Sequence, residues 1–133
     1  MIAKVVYSGN LRTKATHVAS NQKIITDAPI DNHGKGEAFS PTDLVATSLA
    51  SCMMTIMGIV ADRNQINIDG ATADVKKKMG ENPRRILGIE IKFNFFNSIK
   101  FEDRKKLERA ARSCPVRNSL SKDLLETFDF IYN

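Results

Sequence analysis

Two periodicities divide the chain. From Arg84 to Asn94, with Phe95 next, Ile89, Ile91, Phe93 and Phe95 alternate with Glu90, Lys92 and Asn94. That period of two marks a strand with one face buried. Shorter runs, Ala3–Tyr7, Leu11–Ala19 and Lys23–Asp27, also read as strands. Ser8-Gly9-Asn10 separates the first two, and Gly9 and Asn10 both tolerate positive φ, so this pair reads as a hairpin. Residues 29–39 (PIDNHGKGEAF) carry the Pro, Gly, Asn and Asp of a loop. A long helix follows: Ser40 suits the N-cap, Pro41 the first helical position, and Asp43 makes a near match to a capping box. The helix is predicted to reach about Asn64. Asn67–Lys78 and Arg84–Asn94 are then two strands joined by Gly80-Glu81-Asn82-Pro83.

A second helix is predicted from about Phe101, with Leu107, Ala110, Ala111 and Cys114 on one face and Arg104, Lys105, Glu108 and Arg112 opposite. Pro115 disfavours helical geometry at Cys114 and can open a new short helix itself. Thr127–Tyr132 reads as a closing strand. The order of strands, helix, strands, helix and strand predicts an α+β fold, and 133 residues suit a single domain spanning 1–133.

Leu44–Ala61 (LVATSLASCMMTIMGIVA) holds no charge and touches the minimum length of a membrane span. Thr47, Ser48, Ser51, Thr55 and Gly58 interrupt it, and it lacks the Leu/Ile/Phe richness and aromatic belts of a span. A helix apolar on nearly every side is better read as buried at the centre of a fold or a dimer, and no membrane association is expected. The net charge of +5 raises nucleic acid as a partner. However, Lys76–Lys78, Arg84–Arg85 and Arg104–Lys106 are dispersed and flanked by acids, without aromatic interleaving or zinc-finger spacing, which describes a solvated surface. The opening MIAKVVYSGN reads as strand and turn, with no basic segment leading into an apolar one, so a cytoplasmic, reducing location is the expectation.

Cys52 and Cys114 are the only cysteines; neither belongs to a CxxC motif, and His17 and His33 are not placed beside them at metal-ligand spacing. Two inert core thiols are the bland reading. Three features favour chemistry. Cys114 precedes Pro115 at a helix start, where unpaired N–H groups can stabilise a thiolate. Cys52 sits in the most apolar helix, where it needs a cation to ionise, and the early hairpin offers Arg12. Asp43, near the start of the same helix, could orient that guanidinium through a bidentate pair.

The stretch FSPTDLVATSLASCMMTIM, followed much later by SCPVRNSL, resembles the OsmC/Ohr family of hydroperoxide reductases. The loop GKGEAFSP and the hairpin GNLRT fit as well, so the resemblance covers nearly the whole chain. It implies antiparallel sheets wrapped around a long buried central helix in an intertwined homodimer, with the active sites at the interface. It assigns Cys52 as the peroxide-attacking thiol, Cys114 as the resolving thiol and Arg12 as the catalytic arginine. The peroxidase branches of the family usually place Glu directly after the helix-opening Pro. Here Thr42 stands there and the carboxylate, Asp43, comes one position later, a rotation of about 100° on a helix. Asp43 can then either reach Arg12 or cap the helix.

The expected activity is reduction of organic hydroperoxides to alcohols through a Cys52 sulfenic acid and a Cys52–Cys114 disulfide, renewed by a small dithiol or a redoxin. No cofactor, whether metal, flavin or haem, is required. Met53, Met54 and Met57 read first as core filling and secondarily as an apolar substrate wall. The rival is a non-catalytic OsmC-like protein whose cleft holds an apolar ligand or a stress-related partner, a reading that the Thr42 departure favours.

Overall fold

The computed structural model describes all 133 residues. Two compact units divide the chain, Met1–Val45 and Ala46–Asn133.

The first unit is an antiparallel sheet in the order β1-β2-β3, built from β1 (Ala3–Gly9), β2 (Arg12–His17) and β3 (Lys23–Asp27). Gly9, Asn10 and Leu11 all have positive φ, +85°, +55° and +61°. The first two were foreseen; Leu11 joins the turn and moves the start of β2 to Arg12. The register sets Arg12 opposite Asp27, Lys14 opposite Ile25 and Thr16 opposite Lys23, so these six share one face. Thr13 and Thr26 pair through their hydroxyls on the other. This sheet has almost no core of its own. Val5, Val6, Tyr7, Ile24 and Ile25 are exposed, and only Thr26, Asp27 and Ser40 in the unit are buried.

α1 (Pro41–Arg63) begins in the first unit and continues into the second. Its start is the predicted capping box: the Ser40 N–H donates to Asp43 Oδ2 at 2.9 Å and the Asp43 N–H to Ser40 Oγ at 3.1 Å. The helix is long and apolar enough to cross a membrane by length and composition. Within the second unit, Ala46, Leu49, Ala50, Met53, Met57 and Ala61 form one buried stripe at helical spacing, in the hydrophobic core that includes Ile89, Ile91, Phe93 and Phe95. Ser48, Ser51, Thr55, Ile59 and Asp62 form an exposed stripe.

The second unit's sheet has the order β4-β5-β6, from β4 (Thr72–Gly80), β5 (Arg85–Phe95) and β6 (Leu125–Tyr132). The alternation seen in the sequence is realised: Ile89, Ile91, Phe93 and Phe95 are buried while Glu90 and Lys92 are exposed. Fully burying side chains of this size stabilises a fold by roughly 1.5–3 kcal/mol each. Phe93 stacks on Phe130 with ring centroids 5.1 Å apart, and Phe95 on Tyr132 at 4.9 Å. The strands expected to be uniformly antiparallel are mixed. β4 and β5 are antiparallel, but β5 and β6 are parallel. The connection explains this, since α2 (Phe101–Arg112) and α3 (Pro115–Ser119) lie between them and form the long crossover that parallel pairing requires. The strand read from Asn67 begins only at Thr72, because Asp69-Gly70 is a turn in which Gly70 takes φ +81°.

Candidate functional site

Arg12 opens β2, directly across from Asp27 at the end of β3. Asp27 is fully buried and receives Arg12 Nε at Oδ1 and Nη2 at Oδ2, both at 3.4 Å. The Glu37 N–H also donates to Asp27 Oδ2, at 3.0 Å. These donors, the Glu37 N–H foremost and then Arg12, outweigh burial and hold the Asp27 carboxyl below its usual range. Glu37 adds a second carboxylate, its Oε2 accepting from Arg12 Nη2. Its hydrogen bonds to Asp27 and Glu37 raise the arginine's already high pKa. The carboxylates seen on Arg12 are Asp27 and Glu37, and Asp43, the carboxylate expected from the sequence, takes part in the capping box. A cleft of about 360 Å³ lies beside this cluster, lined by Gly36, Glu37, Ala38, Phe39 and Asp43.

In the second unit the two cysteines, 62 positions apart in the sequence, lie near enough as free thiols for Cys52 to act on the titration of Cys114. Cys52 is half-buried on α1, and Cys114 is fully buried at the N-cap of α3. Its Sγ accepts from the Arg117 N–H at 3.2 Å. Arg117 in turn ties down the start of this short helix, donating from Nε to Glu126 Oε2 at 2.8 Å and from Nη1 to the Arg112 carbonyl at 2.9 Å. The thiolate stabilisation expected at this helix start does not prevail. Burial pushes the Cys114 thiol above its ordinary range, against the Arg117 N–H, and the neighbouring Cys52 pushes it further. A protonated thiol beside a more accessible one is suited to receive a sulfenic acid rather than to attack first.

The direction of that shift carries a sign. Below the ordinary cysteine range of about 8.5 both folded and unfolded chains hold the proton, and the fold carries no penalty. As pH rises through that value the unfolded chain ionises first, so stability falls until the folded thiol also titrates. Urea midpoints at pH 7 and pH 10 should therefore fall more steeply for the reduced wild type than for Cys114→Ser. Equal falls would show that Cys114 is not held protonated.

Three contributors went unseen in the sequence: Asp27, Glu37 and Arg117. The available signal for the first was strand register. Ending β2 at Ala19 centres the hairpin near Asn21, whereas the true pairing axis falls between Ala19 and Ser20 and sets Arg12 against Asp27.

An α+β fold with a mixed sheet, a long apolar helix and a thiol pair at a Cys-Pro helix start defines a cysteine-bearing protein of a recognisable class. The family model of OsmC-like protein matches residues 34–125, and the chain belongs to that family. The sequence search of curated proteins found no match. Among solved structures, a protein of Psychrobacter arcticus 273-4, provisionally named an osmotic stress induced and detoxification response protein, is 48% identical. It matches over 98% of this chain and 95% of its own, with a TM-score of 0.95. An organic hydroperoxide resistance protein OsmC of Legionella pneumophila shares the fold at 18% identity and a TM-score of 0.76, over 98% and 95% of the two chains. Another organic hydroperoxide resistance protein, from Elizabethkingia anophelis, does so at 15% identity and a TM-score of 0.78, over 100% and 97%.

Proposed function

We propose that this chain is a thiol peroxidase that reduces organic hydroperoxides to alcohols. The observation that carries the reading is that the fold brings Cys52 and Cys114, 62 positions apart in sequence, near enough for one to act on the other. The names of the hydroperoxide resistance proteins that share its fold agree with it.

In the first step the Cys52 thiolate attacks one peroxide oxygen; the O–O bond breaks, and the alkoxide takes a proton and leaves as the alcohol. Sulfur is oxidised to the sulfenic acid and the peroxide is reduced. Cys114 then forms the S–S bond to Cys52, and the hydroxyl leaves with the Cys114 proton as water. A small dithiol or a redoxin restores both thiols by exchange and becomes a disulfide itself. Arg12 is assigned the cationic role of orienting the peroxide. The chemistry needs no cofactor.

We assign the working form as a homodimer. Its support is surface a single chain leaves uncovered. On the exposed stripe of α1, Ser48, Ser51 and Thr55 are small enough for a second helix to approach closely and Ile59 adds apolar surface, while Val5, Val6, Ile24 and Ile25 present apolar side chains on both faces of the first sheet. A second copy covering α1 would account for its apolar length without a membrane, consistent with a cytoplasmic protein.

The test is stopped-flow consumption of cumene hydroperoxide by the fully reduced protein. Stoichiometric consumption on mixing is the expected result. Absence of consumption, with both thiols still free, would leave the family fold without the activity and favour an apolar-ligand binder.

A further inference from the structure

α3 is anchored chiefly by one side chain. It is five residues long, too short to be stable alone, and none of those residues is buried. Val116 packs only partly against the core, and Asn118 reaches the Ser113 carbonyl with a long bond of 3.4 Å. Yet this helix carries at its N-cap the fully buried Cys114, whose Sγ accepts the Arg117 backbone N–H. The Arg117 guanidinium reaches two other elements. Its Nε donates to Glu126 of β6 at 2.8 Å, and its Nη1 to the carbonyl of Arg112, the last residue of α2, at 2.9 Å. The Glu126 side chain is only 19% exposed, so this charged bond is partly shielded from solvent screening. One residue thus ties α2, α3 and β6 together through its side chain and holds the sulfur through its main chain.

Resolution of an oxidised Cys52 requires the Cys114 sulfur in line with the bond it breaks. Misplacing a reacting group by about 1 Å can cost about a hundredfold in rate. We propose that Arg117 is a positioning residue for this step: its guanidinium fixes the α3 backbone, and that backbone fixes Cys114 for attack on Cys52. This rests on the pairing of the two thiols in the peroxidase reading. The same attack can be followed without a hydroperoxide. With dithiobis-nitrobenzoate, a chromogenic disulfide, Cys52 displaces one thionitrobenzoate and becomes a mixed disulfide. Cys114 then attacks Cys52 Sγ. The mixed S–S bond breaks, the Cys52–Cys114 bond forms, the second thionitrobenzoate leaves as a thiolate, and the Cys114 proton passes to solvent.

The experiment is stopped-flow release of thionitrobenzoate from the full-length reduced protein, for the wild type, Arg117→Ala, Arg117→Lys, Glu126→Gln and Lys122→Ala. Arg117, Lys122 and Glu126 line a cleft of about 370 Å³, and none of them belongs to the hydrophobic core. Two phases are expected in the wild type, the second independent of reagent concentration. Arg117→Ala should leave the first phase within about twofold and slow the second by about tenfold or more. Arg117→Lys keeps the charge without the fork and should fall between the two. Glu126→Gln should slow the second phase by a smaller factor, and Lys122→Ala should change neither. A second phase at the wild-type rate in both Arg117→Ala and Glu126→Gln overturns the proposal. Equal slowing of both phases also overturns it, because general loosening of the fold would give that result. So does a wild type that releases only one thionitrobenzoate. A wild type that shows both phases but consumes no cumene hydroperoxide loses the peroxidase reading, and the positioning role is then decided by the variants alone. Should Arg117→Ala not fold, the second phase of Glu126→Gln decides.

Discussion

Cys52→Ser is expected to abolish hydroperoxide consumption, lowering the rate by about three orders of magnitude or more, because the attacking atom is gone and Cys114 cannot replace it. Cys114 is fully buried, and burial and its neighbour raise its thiol's pKa, so it is poorly placed to attack a hydroperoxide arriving from solvent. Cys114→Ser should behave differently. One equivalent of hydroperoxide should be consumed at near wild-type rate, followed by arrest with a sulfenic acid that dimedone traps on Cys52. The asymmetry between the two variants is the discriminating feature. Equal activity in both would remove the division of labour, and loss of the first turnover in Cys114→Ser would make Cys114 the attacking residue.

Phe93→Ala is expected to cost about 3–5 kcal/mol of stability, the usual penalty for emptying a buried aromatic site. Phe93 is completely buried on the central strand of its sheet and stacks on Phe130 of the parallel neighbour, so its loss opens a cavity between β5, β6 and the helix layer. Typical domains are stable by only about 5–15 kcal/mol, which makes this a large fraction of the total. Lys92→Ala, one position away on the exposed face of the same strand, should stay within about 0.5 kcal/mol. Urea midpoints of the two variants measure the contrast. A loss below about 1 kcal/mol at Phe93 would mean that the core does not rest on this strand.

Much of the architecture was legible because local signals were strong. Ser40, Pro41 and Asp43 announced the start of α1, and the reciprocal capping hydrogen bonds are present. The alternation from Ile89 to Phe95 identified the buried face of β5, and Pro115 marked the helix that Cys114 caps. What stayed hidden depends on pairing between distant segments. Parallel pairing of β6 with β5 leaves no trace in the residues of β6, whose Phe128, Phe130 and Tyr132 would serve either direction. The partners of Arg12 follow from a register set by the turn at residues 18–22, and shifting that turn slightly exchanges Asp27 for another residue. Asp43 was a reasonable candidate for the arginine because a helix-start carboxylate can either cap or pair outward. Here it takes part in the capping box, and buried Asp27 pairs with Arg12.

The Cys114 environment could be foreseen only in outline. The N-cap position and the Arg117 N–H were predictable from Pro115, and both favour the thiolate. Burial opposes them and prevails, and burial belongs to the packed fold rather than to any short motif. In the proposed mechanism the burial of Cys114 separates the roles of the two sulfurs, which the cysteine spacing alone leaves undetermined.

The most direct measurement is peptide mapping of the fully reduced protein after treatment with one equivalent of cumene hydroperoxide, with cysteine oxidation states read by mass spectrometry. The prediction is one new intramolecular linkage joining the peptides that contain residues 52 and 114, with a matching yield of cumyl alcohol. Recovery of both cysteines as alkylated thiols, with the hydroperoxide intact, would contradict the redox account.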